Sequence, residues 1–274
     1  MESQRASDLL EGVAQIARRA GDAILEIYPK VDPNITYKKD DSPLTEADLA
    51  SHRTIAAGLS ALAPEIPVLS EEGADEPYSK RSSWTRFWLV DPLDGTKEFI
   101  KKNGEFTVNI ALVDSGRPVL GVVYAPVLDR TYLGAEDLGA WRQDGGGERR
   151  TIGADGTGQE SLAVVASRSH AGEALKAFLA EMPEHHLVSM GSSLKLCLVA
   201  DGGADVYPRL GPTMEWDTAA AHGVVAAAGG QVLDFEGRSL QYNKENLLNP
   251  HFIVLGRRSV PWRESFEAAG LDSP

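Results

Sequence analysis

Apolar side chains recur at helical spacing from residue 8 to 28, through Leu9, Val13, Ile16, Ala17, Ala20, Ile24 and Ile27, and predict an amphipathic helix. A polar loop with Pro33, Asn34 and the run KKDDSP follows. Thr45 is then expected to open a second helix, with Leu49, Ala56, Leu59 and Leu62 on one side. Two short apolar runs come next, PVLS (67–70) ending at Glu71-Glu72-Gly73 and FWLV (87–90) ending at DPLDG. From Thr107 to about Arg150, the segments TVNIALV, PVLGVVYAP, RTYLGA and GAWRQD alternate with turn residues and predict an antiparallel meander.

The pattern changes at TIGADGTGQE (151–160), the best candidate for a boundary. Beyond it strand-like and helix-like segments alternate: SLAVVAS, SHAGEALKAFLAEM, HLVSM, SSLKLCLVADGG, DVYPRL, a helix around EWDTAAAHGVVAAAGG, then QVLDF and FIVLG. Such alternation indicates α/β layering. The expected fold class is therefore α/β, with an α+β lobe at 1–155 and an α/β lobe at 156–274. A site is expected between them.

Composition narrows the partners. The 274 residues carry a formal net charge of −13, which argues against a nucleic-acid polymer, since phosphate backbones are bound by basic patches. A small anionic substrate stays compatible if cations or a few local Lys and Arg invert the field inside a site. No apolar run reaches the roughly 20 residues of a membrane helix, and MESQRASDLLEGVAQ lacks a basic segment followed by an apolar one. The expectation is a soluble, cytoplasmic protein. Cys197 is the single cysteine, so no internal disulfide or thiolate cluster can form; its apolar surroundings predict a buried small hydrophobe.

The candidate chemistry is carboxylate. Asp91 follows three apolar residues where a buried strand is expected to end, Pro92 cannot extend a ladder, and Gly95 permits a backbone closed to other residues. A tight turn there would hold Asp91 and Asp94 together, with the Leu93 carbonyl as a further oxygen ligand. Hard dications such as Mg²⁺ prefer such donors, and two of them about 4 Å apart can clamp a phosphoryl displacement. An ordinary D-P-x-D-G surface turn is the alternative. Glu71 and Glu72 repeat the strand-end pattern. Asp217 sits near the start of an Ala-rich helix, where acidic residues also occur for dipole reasons. Thr45-x-x-Asp48 is close to a capping box, which would explain Asp48 without chemistry.

The order SEEG … WLVDPLDGT … EWDTAA resembles the inositol-monophosphatase superfamily of magnesium-dependent, often lithium-sensitive phosphatases, over nearly the whole chain to about Gly256. Within it, DGTKEF (94–99) and GSSLKLCLVADGGADVYPRLGPTMEWDTAA (191–220) look most like the 3′(2′),5′-bisphosphate nucleotidase branch; inositol phosphatases typically carry DGTTNF. The resemblance implies a layered αβαβα sandwich of the sugar-phosphatase type. It implies two or three Mg²⁺ ions, with Mn²⁺ able to substitute. Glu71, Asp91 and the Leu93 carbonyl would hold the first ion. Asp91, Asp94 and Asp217 would hold the second, with Asp91 bridging. Thr96, with Asp48 or Glu71, would orient and deprotonate water, and Glu72 would stand behind them.

The resemblance also assigns substrate contacts to Glu71, Leu93, Asp94, Gly95, Thr96, His170, Ser192, Lys195, Arg209 and Asp217. Plainer readings exist for four of these: solvated charges for Lys195 and Arg209, a helix N-cap for Ser192 and a helix-start residue for His170. The implied substrate is 3′-phosphoadenosine 5′-phosphate, hydrolysed to AMP and phosphate in support of sulfur assimilation. Alternatives are an inositol monophosphatase, a fructose-1,6-bisphosphatase, or a silent metal-binding scaffold; against the last, every expected position is filled. A monomer or homodimer fits, as does peripheral association with an inner membrane, without integral insertion.

Overall fold

The computed structural model describes residues 2–32, 43–74, 76–166 and 172–271. Helices α1 (Glu2–Ile27) and α2 (Pro43–Leu62) lead into β1 (Val68–Ser70), the one-turn helix α3 (Tyr78–Arg81), β2 (Arg86–Asp94) and the short helix α4 (Thr96–Ile100). Strands β3 (Thr107–Asp114), β4 (Arg117–Ala125), β5 (Arg130–Ala135), β6 (Gly139–Asp144) and β7 (Arg150–Ile152) complete a first sheet. The rest of the chain gives β8 (Leu162–Ala166), α5 (Glu173–Ala180), β9 (His185–Ser189), α6 (Leu194–Ala200), β10 (Val206–Arg209), α7 (Glu215–Ala227), β11 (Gln231–Asp234), β12 (Phe252–Leu255) and α8 (Trp262–Ala268).

The first sheet runs β1 to β7 in chain order, parallel between β1 and β2 and antiparallel thereafter, which is the meander the sequence predicts. The second has the order β11-β12-β10-β8-β9. Side chains alternate faces along a strand, and that alternation sorts them into layers. In β2, Trp88 and Val90 pack with α1 and α2, whereas Phe87 and Leu89 face the layer of α6 and α7. In β8, Ala163 and Val165 face that same central layer, while Leu162 and Val164 pack with Phe178 of α5 and Phe266 of α8. Five layers result, αβαβα.

The central helix α7 lies unusually close to the first sheet. A Cβ at Gly121 of β4 would collide with the Ala220 carbonyl of α7. Only the absence of a side chain allows that approach, and it fixes the height of α7 above the strands.

Two local expectations are corrected. Helix α2 begins with Pro43, which suits a first-turn position whose N–H needs no partner, so Thr45 lies inside the helix rather than opening it. Strand β2 does not stop at Asp91. It continues to Asp94, pairing Asp91 with Asn109 and Asp94 with Thr107, and a register shift between the two pairs absorbs Pro92 and Leu93. Cys197 is fully buried, as expected, and burial pushes its thiol well above the usual range. Among the described residues, no helix is long and apolar enough to cross a membrane.

Candidate active site

Sheet register explains how the first two acids meet. Leu69 pairs with Leu89 and Ser70 with Val90, so the next step places Glu71 beside Asp91. The Glu71 N–H continues the ladder to the Val90 carbonyl at 3.1 Å. Asp91 follows the alternation of Phe87 and Leu89 and turns, fully buried, toward the α7 layer. Asp217 comes from the opposite direction, in the first turn of α7, where its Oδ2 accepts the Met214 N–H at 2.8 Å. One carboxylate oxygen from each of Glu71, Asp91 and Asp217 lies within 4.8 Å of the others.

Asp94 joins them electrostatically but holds its own partners. Its Oδ2 accepts the Ser193 N–H and hydroxyl, both at 2.6 Å, with Thr107 Oγ1 and Asn109 Nδ2 farther off at 3.4 Å. Leu93 donates its N–H back to Asp91 Oδ1 at 3.0 Å. The peptide before Leu93 is fixed from the other side of the sheet, where the buried Ser51 hydroxyl of α2 donates to the Pro92 carbonyl at 2.7 Å.

Asp48, one turn before Ser51, is placed against Glu71 and Glu72, and its Oδ1 is buried without a hydrogen-bond partner among the described residues. This is a position beside the acid cluster, so the capping explanation for Asp48 falls. Gly95 adopts φ +98°, a left-handed conformation that turns the chain from β2 into α4 and leaves Thr96 exposed as the first residue of that helix.

Crowding raises proton affinity throughout. Burial, then the charges of Asp94 and Glu71, push Asp91 well above the carboxylate range. Burial and then Asp94 bring Asp217 up to about 7. Burial and then Glu72 bring Glu71 to about 6. Asp48 is pushed to about 8, first by burial and then by Glu72 and Glu71. Among the described residues no Lys or Arg forms an ion pair with any of these acids. A set of hard oxygen donors with no cationic side chain paired to it, and only Arg209 and Lys195 acting from farther off, fits divalent cations of the Mg²⁺ type.

A cleft opens beside this cluster. Asp94 and Asp217 form one end, and Lys195, Tyr207, Arg209 and Phe252 line the rest. Lys195 Nζ donates to the Ser192 carbonyl at 2.7 Å and sits 5.9 Å from the centre of the Tyr207 ring. Arg209 gives one N–H to the Pro212 carbonyl at 2.9 Å, and its Nε is buried without a hydrogen-bond partner among the described residues. Ser192 is not a helix N-cap. It takes φ +47° and bonds through its hydroxyl to Thr107 Oγ1 at 2.6 Å. His170 lies outside the described residues.

Sequence reasoning missed Ser193, Thr107 and Asn109. A signal existed: TVN puts two polar residues on alternate positions of an otherwise apolar strand, hence on one face. That face is the one carrying Asp91 and Asp94, as their cross-strand pairing shows.

An αβαβα sandwich gathering carboxylates from the end of β1, from β2 and from a helix N-terminus, beside a cleft that Lys195 and Arg209 help to line, is the arrangement of a phosphatase of the layered sugar-phosphatase class. The chain belongs to the inositol monophosphatase family, which it matches over residues 6–263. It is 53% identical over 249 residues to the 3′(2′),5′-bisphosphate nucleotidase CysQ of Escherichia coli strain K12, covering 90% of this chain and 99% of that protein. The crystal structure of CysQ from Bacteroides thetaiotaomicron, a bacterial member of the same family, superposes with a TM-score of 0.83 at 44% identity, covering 91% of this chain and 97% of that one. An inositol monophosphatase from Zymomonas mobilis shares the fold, with a TM-score of 0.77 at 24% identity over 97% of this chain and 98% of the other.

Proposed function

We propose that this enzyme is a Mg²⁺-dependent 3′(2′),5′-bisphosphate nucleotidase that converts 3′-phosphoadenosine 5′-phosphate to AMP and phosphate. The observation that carries the proposal is the pairing of an acid cluster with a separate cationic patch, Lys195 and Arg209, in one cleft. A substrate with two phosphates matches it. The scissile 3′-phosphate goes to Glu71, Asp91, Asp94 and Asp217, and the 5′-phosphate to the charged ends of Lys195 and Arg209, which line the cleft. An inositol monophosphate or fructose bisphosphate makes poorer use of the apolar wall of Tyr207 and Phe252, which suits a nucleoside.

Divalent cations held by Glu71, Asp91, the Leu93 carbonyl, Asp94 and Asp217 would supply positive charge that eases deprotonation of water and balances the phosphoryl oxygens. The chain's own residues do the rest. Thr96, exposed at the start of α4, orients the attacking water and passes its proton toward a carboxylate, since a hydroxyl is no strong base itself. Asp48, with its unpartnered Oδ1, and Glu71 are the acceptors. The oxygen of that water forms a bond to phosphorus while the ester P–O bond breaks; the ribose oxygen takes a proton from solvent, and the carboxylate returns the one it accepted. Residues 1–155 thus contribute most of the acids, and residues 156–274 contribute Asp217 and the cleft.

The role assigned is clearance of this nucleotide in cytoplasmic sulfur assimilation. Phosphate release from adenosine 3′,5′-bisphosphate and from inositol 1-phosphate, each with Mg²⁺ and with chelator, tests the reading. We expect a preference for the nucleotide of at least 100-fold, with chelator abolishing turnover. Equal or reversed preference would overturn the substrate, and undiminished turnover in chelator would overturn the cation requirement.

A further inference from the structure

The residue that joins the two halves of the acid cluster is Ser193. Its hydroxyl lies 2.6 Å from Asp94 Oδ2, 2.6 Å from Asn109 Nδ2 and 3.1 Å from the Asp217 carbonyl. A hydroxyl has one proton. The amide of Asn109 donates, so the Ser193 oxygen accepts there and turns its proton to the strongest acceptor in reach, the Asp94 carboxylate. The Ser193 N–H goes to the same oxygen. Asp94 Oδ2 is thereby committed, whereas Oδ1 accepts no hydrogen bond among the described residues.

Geometry gives this arrangement its reach. Asn109 is the cross-strand partner of Asp91, so the relay starts beside one acid, passes through Ser193 and ends on a second. The Asp217 backbone, carrying a third, lies against the same hydroxyl. Ser193 stands at the N-cap position of α6, the helix that brings Lys195 to the cleft, but its hydroxyl is turned to Asp94 and makes no capping bond.

We propose that Ser193 is a positioning residue that selects the oxygen Asp94 presents to the cation shared with Asp217, and so sets the affinity of that cation alone. The inference rests on the cation-dependent reading of the site. Partners of metal-ligating carboxylates typically contribute about 10- to 100-fold in metal affinity. Glu71 forms no hydrogen bond with Ser193 among the described residues, so the cation that Glu71 holds should respond only through the bridging Asp91, and far less.

Titration calorimetry with Mn²⁺ as the probe tests this on the whole chain without turnover. Wild type should show two binding steps. Ser193→Ala should weaken one of them about 10-fold and leave the other within 2-fold, while Ser193→Thr, which keeps the hydroxyl, should restore it. Where Ser193→Ala does not melt cooperatively, Asn109→Ser takes its place, since it keeps the Ser193 hydroxyl and removes the amide that orients it; the same single step should weaken. Both steps unchanged, or both weakened alike, would overturn the role of Ser193. Wild type that takes up no Mn²⁺ would instead overturn the cation reading, and the inference with it.

Discussion

Replacing Asp217 by asparagine should strengthen the cation-free fold while removing the activity. The carboxyl of Asp217, ordinarily near 3.8, titrates at about 7 in the folded chain because it is buried beside Asp94. A raised folded-state pKa means stability that is whole below about pH 3.8 and lost as pH rises through about 7. The difference amounts to roughly 4 kcal/mol at pH 8, an upper bound because the neighbouring acids share it. Direct Coulomb repulsion gives the same scale: two full charges at 4.8 Å, the upper limit of the spacing among the oxygens of Glu71, Asp91 and Asp217, repel by roughly 3–4 kcal/mol at an effective dielectric of about 20. Asparagine keeps a side-chain oxygen for the Met214 N–H, so the helix start is not sacrificed. We expect a gain of about 2–4 kcal/mol at pH 8 in chelator, roughly 5–10 °C in Tm for a chain of this size. The gain should shrink by more than half at pH 5. Saturating Mg²⁺ should raise the wild-type Tm more than the variant's, and phosphate release by the variant should fall more than 100-fold. A variant no more stable than wild type at pH 8 would refute the account of a repulsive cluster, and near-normal turnover would refute its role.

Three further outcomes follow from other parts of the molecule. Burial brings His222 down to about 4, with its Nδ1 2.9 Å from the Tyr242 hydroxyl. Its contribution is therefore present above about pH 6.5 and lost as pH falls toward 4, and the stability difference between wild type and His222→Asn in urea should shrink by roughly 2–3 kcal/mol from pH 7 to 4.5. Lys195→Met should raise KM for the bisphosphate nucleotide about 10- to 100-fold, the loss of one charge-assisted contact, with little change for a substrate carrying one phosphate. Gly121→Ala should cost at least about 2–3 kcal/mol in urea unfolding, because α7 cannot retreat from the sheet without dragging the core with it.

Much of this was legible in the chain. The apolar periods located the helices and the meander, and Asp91 and Asp94 stood out at the end of an apolar run, whereas Glu71 and Asp217 were joined to them only through the family resemblance. What resisted reading was the way those segments end. DPLD looks like a turn because proline and two aspartates dominate it, yet strand pairing with Thr107 and Asn109 outweighs that local preference and carries β2 to Asp94. Thr45-x-x-Asp48 satisfied a local capping rule, but the helix starts earlier and Asp48 answers to Glu71 and Glu72, more than twenty positions away. Ser193 was invisible for the same reason: its three partners come from β2, β3 and α7, and only the folded chain brings them to one hydroxyl.

The register that places Glu71 beside Asp91 has a consequence for evolution of the site. Their backbones are neighbouring rungs, so the gap between them is the inter-strand spacing common to all β-sheets, about 4.8 Å. Loop insertions and deletions around the site leave that gauge untouched. A slip of β1 by a single residue would instead swing Glu71 to the far face and present Glu72 in its stead. Selection on this pair therefore acts through the three short residues Val68–Ser70 that lock the rung, as much as through the acids themselves.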